Sequence, residues 1–217
     1  MAADKLTAAS RIPRPDPESQ PIGQVLAGHR RENGWTLAEV SRRTGVSISA
    51  LSKIENGQSR PAYDVLTRLA AGLDIDLGEL LGGGRQPRFE SAVRAITRVG
   101  EGPVFSTDMG RYEMLATELA AKSLTPMVIE IPPPTPSRPH VRSTHSGEEF
   151  VYVLEGEVVF NMRPYAPVVL SAGDSVYFDG SSDHGFHSNG PAPSRILSIV
   201  LSGRVPVQVE AKMEAAR

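Results

Sequence analysis

Residues Thr36 to Gly57, TLAEVSRRTGVSISALSKIENG, set two short amphipathic patterns on either side of one glycine. Thr36 and Glu39 stand three apart, the spacing of a capping box that opens a helix. Leu37, Val40 and Ser41 give that helix an inner face. Gly45 supplies a position free to take positive φ, which ends the helix and turns the chain. Ser47 is placed to cap a second helix, whose inner face is Val46, Ala50, Leu51 and Ile54. That leaves Ser47, Ile48, Ser49, Ser52 and Lys53 on the outside. Two short helices around a tight turn can lay one helix in the major groove of DNA. The apolar period alone fits an ordinary core hairpin equally well.

Charge sharpens the choice. The chain of 217 residues has a net charge of −2, which is unpromising for a polyanion partner. Residues 30–60, however, carry Arg30, Arg31, Arg42, Arg43, Lys53 and Arg60 against only Glu32, Glu39 and Glu55. Positive charge is therefore concentrated around the outward helix face, where phosphate attraction needs it. One such patch is modest, so a homodimer on a palindromic operator is expected.

GVSISALSKIENG, with Pro61 and the run Leu66, Leu69, Ala70 and Leu73 behind it, resembles the phage-repressor (XRE, Cro/C1-type) helix-turn-helix family over about residues 22–81. The resemblance implies a five-helix domain. It places Ser47, Ile48, Ser49, Ser52 and Lys53 at base-contacting positions, and Asn56, Gln58 and Arg60 in a loop that meets the phosphate backbone. Leu37 stands where many members carry glutamine, so no phosphate contact is expected there. Arg30 and Glu55 match a pair that commonly forms a buried ion pair.

Around this unit the composition changes twice. Residues 1–21, with Pro13, Pro15, Pro17 and Pro21, read as a flexible tail, and 82–90, GGGRQPRFE, read as a linker. Beyond it come short β-rich runs at Val93–Arg98, Tyr112–Leu119, Met127–Ile131, Glu149–Leu154, Val158–Met162, Val168–Leu170, Ser175–Phe178 and Arg195–Leu201. Such spacing argues for a sandwich or barrel, with a hairpin expected at Gly156. Residues 205–217 form a C-terminal tail. The fold class is therefore multidomain, an all-helical DNA-binding unit followed by a β domain over 91–204.

Within that β domain, THSGEEFVYVLEGE (Thr144–Glu157) and AGDSVYFDGSSDHGFHSNG (Ala172–Gly190) resemble the two motifs of the cupin family, a small jelly-roll β-barrel. The resemblance implies a ligand set of His145, Glu149 and His184, with Ser143 where the first histidine of the usual four would stand. Two imidazoles and one carboxylate suit one divalent metal, Fe, Zn, Mn or Ni; the alternative is a metal-free polar pocket. His187, three residues past His184, would point across the strand and is expected to be structural or exposed. Ser143, Tyr152, Phe160, Tyr177 and Phe186 are the expected ligand-pocket residues.

No cysteine is present, which removes disulfides and thiolate ligands. No apolar run spans a membrane and the N-terminus lacks a secretory pattern, so a cytoplasmic location is expected, with no membrane partner. Two functions follow from the resemblances. One is a non-enzymatic regulator that reads an operator with its helices and senses a small-molecule effector with its cupin. The other is a mononuclear iron oxidoreductase similar in layout to hydroxypropylphosphonate epoxidase, acting through His145, Glu149 and His184.

Overall fold

The computed structural model describes residues 22–83, 93–135 and 141–201. The expected tails, most of the expected linker and His140 lie outside the described residues. Five helical segments come first: α1 (Ile22–Glu32), α2 (Leu37–Thr44), α3 (Ile48–Glu55), α4 (Tyr63–Leu73) and a short α5 (Glu79–Gly83). Local chemistry sets the turn between α2 and α3. Thr36 accepts a hydrogen bond from the Glu39 amide, Gly45 takes φ 68° and donates to the Ser41 carbonyl, and Ser47 accepts from the Ala50 amide. The capping box is only half made. The Glu39 carboxylate binds Arg42 and Arg43 at 2.7 and 2.8 Å instead of returning to Thr36, because two cations one turn ahead outcompete a neutral amide.

The helices share one core. Leu26, Val40, Val46, Leu51, Ile54, Leu66, Leu69 and Leu73 are buried. Burial of each such side chain stabilises the fold by about 1.5–3 kcal/mol. Arg30 and Glu55 tie α1 to the end of α3 through two parallel bonds of 2.7 and 2.9 Å. Among the described residues, no helix is long and apolar enough to cross a membrane.

Among the described residues, the second region has nine strands: β1 (Val104–Ser106), β2 (Arg111–Met114), β3 (Leu124–Ile131), β4 (Glu148–Glu155), β5 (Glu157–Met162), β6 (Val168–Ser171), β7 (Ser175–Asp179), β8 (His184–Ser188) and β9 (Ser194–Leu201). They form a six-stranded sheet, β1-β2-β3-β9-β4-β7, and a three-stranded sheet, β6-β5-β8, all antiparallel. Strand alternation fills the space between them. In β9, Ser194, Ile196, Ser198 and Val200 are buried while the residues between them are half-exposed. Met127, Ile129, Val151, Val153 and Phe178 of the same sheet are buried with them, and Phe160 and Phe186 come from the three-stranded sheet opposite.

Three expectations are corrected here. The two sheets face each other as a sandwich and do not close into a barrel. Gly156 does not turn a hairpin: β4 pairs with β7 and β9, whereas β5 pairs with β6 and β8, so Gly156 (φ 76°) is a corner where the chain leaves one sheet for the other. Residues 93–98 form no strand; Val93 and Ile96 are 37% and 59% exposed, so this run has no core face to bury. Conversely, β1 and β8 were not among the expected strands. β8, HGFHS, lacks the aliphatic alternation that marks a strand in sequence.

Candidate functional site

In the helical region, α3 buries Leu51 and Ile54 and leaves its opposite face to solvent. Ser47, Ile48, Ser49 and Lys53 are exposed and Ser52 is half-exposed. Ile48 is 50% exposed at the first position of the helix, an apolar side chain with no core to fill. Asn56, Gln58 and Arg60 are exposed in the loop that follows. All eight residues singled out by the helix-turn-helix pattern thus lie on the accessible side of α3 and its loop.

In the sandwich, a single bridge controls the geometry. Ser143 and His184 exchange backbone hydrogen bonds of 2.8 and 3.1 Å, which pins the segment before β4 to the start of β8. The His145 amide donates to the Gly180 carbonyl at 2.9 Å. A Cβ built on Gly180 would collide with the His145 ring, so the absence of a side chain there is what lets the imidazole lie where it does. Glu149 points inward from β4 and Ser198 from β9.

His145, Glu149 and His184 converge, all three buried, with their ligand atoms within 4.8 Å of one another. His145 Nε2 is 3.0 Å and His184 Nε2 is 3.4 Å from Glu149 Oε2. Ser198 Oγ donates to Glu149 Oε1 at 2.6 Å. Burial would raise the Glu149 pKa, but bonds from His145, His184 and Ser198 outweigh it and hold the carboxyl at about 2. Burial likewise opposes a charge on His145, yet Glu149 prevails and its pKa is raised.

The donor set fits a divalent cation. His184 Nδ1 lies 2.8 Å from the Ser182 carbonyl. A carbonyl can only accept, so Nδ1 carries a hydrogen and Nε2 is the atom turned to Glu149. With His184 neutral, its Nε2 lone pair would face a carboxylate oxygen, and a shared cation would accept from both. Two ligands on one cation at about 2.0–2.2 Å stand about 3.0–3.4 Å apart at octahedral to tetrahedral angles, matching both observed separations. Ser143 Oγ, in the place of a fourth ligand, is buried and without a hydrogen-bond partner among the described residues.

The pocket around the three is lined also by Tyr63, Met109, Tyr112, Met127, Ile129, Ser143, Phe186 and Ser198. Of the expected pocket residues, Ser143 and Phe186 line it. Phe160 is buried beside it, stacked on Phe186 at 4.8 Å. Tyr152 and Tyr177 are corrections. They are 39% and 63% exposed on the outer face of the sheet, because their neighbours Val151, Val153 and Phe178 take the inward positions. His187 is half-buried beside Asn161, away from the pocket. Tyr63, Tyr112 and Ser198 were not among the expected site residues. Burial pushes the phenol pKa of Tyr63 and Tyr112 up, keeping both neutral. Thr107 is close enough to Tyr112 to oppose that shift, but not in hydrogen-bonding geometry, and among the described residues the Tyr112 hydroxyl has no partner.

Residues 29–80 match the helix-turn-helix family HTH_3, and residues 127–200 match the Cupin domain family. The transcriptional regulator ClgR of Mycobacterium tuberculosis is 38% identical over 76 residues, covering 34% of this chain and 68% of that protein. The crystal structure of an HTH_3 family transcriptional regulator from Vibrio cholerae superposes with a TM-score of 0.56 at 19% identity, covering 85% of this chain and 96% of that one. Hydroxypropylphosphonic acid epoxidase from S. wedmorenis gives 22% identity and a TM-score of 0.45 over 84% of this chain and 97% of that one, a likeness too loose to bear on chemistry.

Proposed function

Because the chain belongs to the HTH_3 helix-turn-helix family of DNA-binding transcriptional regulators and carries a cupin domain behind it, we propose that it reads a palindromic operator as a homodimer and senses a small-molecule effector in the His145–Glu149–His184 pocket. The DNA-binding unit spans about residues 22–81 and the sensor about 91–204. The observation that carries this reading is the outer face of α3. Its apolar residues are used up in the helical core, and what remains is small, polar or basic: Ser47, Ser49, Ser52 and Lys53, with exposed Ile48. Hydroxyls and a lysine can bond to base edges or phosphates, and Ile48 can meet a thymine methyl. Asn56, Gln58 and Arg60 contact the backbone and fix register. Two copies place half-site centres about one helical turn, ~34 Å, apart.

In the sensor, His145, Glu149 and His184 hold one divalent cation, and Ser198 orients the carboxylate. The metal supplies open coordination positions for an effector. Ser143 and Tyr112, whose hydroxyls have no hydrogen-bond partner among the described residues, are the groups available to bind that effector.

The His-Glu-His triad also favours a second reading, an iron-dependent oxidoreductase, since two histidines and one carboxylate leave Fe(II) open to substrate and oxygen. Selection from random duplex DNA, run beside elemental analysis of the purified protein, separates the two. Enrichment of a palindrome supports the regulator. No enriched sequence, together with one equivalent of iron, overturns it in favour of the enzyme.

A further inference from the structure

The cupin strands do not enclose the pocket by themselves. One wall is Tyr63, the first residue of α4, and it is the pocket's contribution from the helical region. Its ring is 6% exposed. It lies parallel to Tyr112, with centroids 6.1 Å apart and an interplanar angle of 4°, and edge-on to His145 at 5.6 Å and 88°. Tyr112 in turn stacks on Phe105 at 4.7 Å, and His145 meets His184 at 5.0 Å. A run of aromatic contacts therefore passes from β1 to the triad, and a residue of the DNA-binding region stands in the middle of it.

Tyr63 is also tied to the reading helix. Leu66, Leu69, Ala70 and Leu73 of α4 are buried in the helical core. Gly72 lies so close to α2 that a Cβ there would meet Thr44 at 2.8–2.9 Å. Only the loop from Asn56 to Ala62, which carries Asn56, Gln58 and Arg60, separates Tyr63 from the end of α3. Tyr63 is the first residue of α4, so a shift of its backbone moves the first turn of α4 and the loop joined to it. A second tie sits at the other end of the helical region, where Asp76 accepts from the Ala121 amide at 3.2 Å. Among the described residues, the helical region thus touches the sandwich both inside the sensor pocket and at Asp76.

Three protein ligands leave open positions on a cation, and whatever fills them must share the pocket with Tyr63, Tyr112 and Ser143. We propose that Tyr63 couples the two regions: groups that fill the open positions of a bound cation compete with the Tyr63 ring for space, and the seat of that ring sets the placement of α4 and the loop beside the reading helix. This rests on the reading that the triad holds a cation and that α3 reads DNA. A ligand can shift DNA affinity only through a difference between two arrangements, and the seated and unseated ring supplies that difference. Linkage makes the effect reciprocal.

The test uses the full chain freed of metal, Zn²⁺ as the sole added ligand, and a duplex selected by the protein from random sequence. In the unaltered protein, Zn²⁺ changes affinity for the duplex by about 5- to 150-fold, and the duplex changes affinity for Zn²⁺ by the same factor. In Tyr63→Ala each ligand still binds, but the mutual effect falls below about twofold. Tyr63→Phe, which keeps the ring, retains it. If Tyr63→Ala does not fold, the unaltered protein labelled with 3-fluorotyrosine answers the same question. The resonance missing in Tyr63→Phe must move on adding Zn²⁺ and again on adding duplex; one that ignores the duplex overturns the coupling. Binding of both ligands with no mutual effect, or full coupling in Tyr63→Ala, overturns this inference alone. Failure to bind Zn²⁺ or any duplex overturns the functional reading beneath it.

Discussion

Arg30 grips Glu55 through two parallel bonds, Nε to Oε1 at 2.7 Å and Nη2 to Oε2 at 2.9 Å, and its third nitrogen donates to the Trp35 carbonyl at 3.1 Å. The side chains are only 20% and 11% exposed. The pair joins α1 to the last turn of α3, so it fixes the helix proposed to read DNA as well as the core behind it. Truncating one partner strands the other charge in a poorly hydrated place. Arg30→Ala or Glu55→Ala should therefore destabilise the protein by about 3 kcal/mol, the low end for a shielded pair because water reaches part of it. Urea unfolding checks this as a lower midpoint at unchanged slope. A loss under ~0.5 kcal/mol would class the pair with ordinary surface bridges.

Ile48 and Lys53 should separate reading from holding. Lys53 is exposed on α3, and Lys53→Ala should weaken binding to all sequences and reduce the salt slope by about 1. Ile48→Ser should leave the salt slope alone and relax the choice of base at one position of each half-site, at about 1–3 kcal/mol for the preferred base. Titrations against the selected duplex and single-base variants at several salt concentrations distinguish the two patterns. An Ile48→Ser protein with unchanged preferences would remove Ile48 from the reading surface.

Much of this was legible in the chain because it rests on short-range chemistry. Thr36, Gly45 and Ser47 announce the turn between α2 and α3 through caps that depend on a few neighbouring residues. His145, Glu149 and His184 were identifiable from motif register, and inward alternation on β4 carries Glu149 to the pocket. Strand pairing was harder to read. Gly156 has the composition of a hairpin turn, yet the partners of β4 and β5 are chosen by distant strands. Strand alternation was expected to turn Tyr152 and Tyr177 inward, but Val151, Val153 and Phe178 hold the inward parity and send both tyrosines outward. Tyr63 carried no signal, since its spacing from Leu66 and Ala70 is that of any helical core residue. Ser198 carried one that could have been used: a polar residue at an inward position between Ile196 and Val200 usually has a partner to satisfy.

Gly180 should prove as important to the metal site as a residue that touches the metal. A Cβ there would strike the His145 ring. Gly180→Ala should thus push the imidazole away from Glu149 and lower Zn²⁺ affinity by about 10- to 100-fold, the range seen when a ligand's support is lost. DNA binding by the metal-free protein should change less than Zn²⁺ affinity does, because the displaced His145 ring reaches α4 only through its edge contact with Tyr63. Calorimetric titration with Zn²⁺ gives the first quantity and fluorescence anisotropy the second.

Ser143→His should rebuild the fourth ligand that the cupin resemblance places at this position. The backbone already favours it: Ser143 is bridged to His184, its side chain lines the pocket, and its Oγ bonds to nothing described. Two effects oppose each other. The larger side chain crowds Tyr63, Tyr112 and Met109, and overpacking of this kind costs about 1–3 kcal/mol without metal. The fourth ligand bond, from a third imidazole, contributes only when the cation is present, and a gain of about 1.4 kcal/mol beyond that crowding is tenfold in affinity. The expected outcome is a metal-free protein that unfolds at lower urea, together with Zn²⁺ affinity raised by about tenfold. Excess Zn²⁺ at about 100 times its dissociation constant should then stabilise the variant by about 2.7 kcal/mol, offsetting most of the loss. Reduced Zn²⁺ affinity would show that Ser143 does not face the cation, and that its hydroxyl serves a ligand from another side of the pocket.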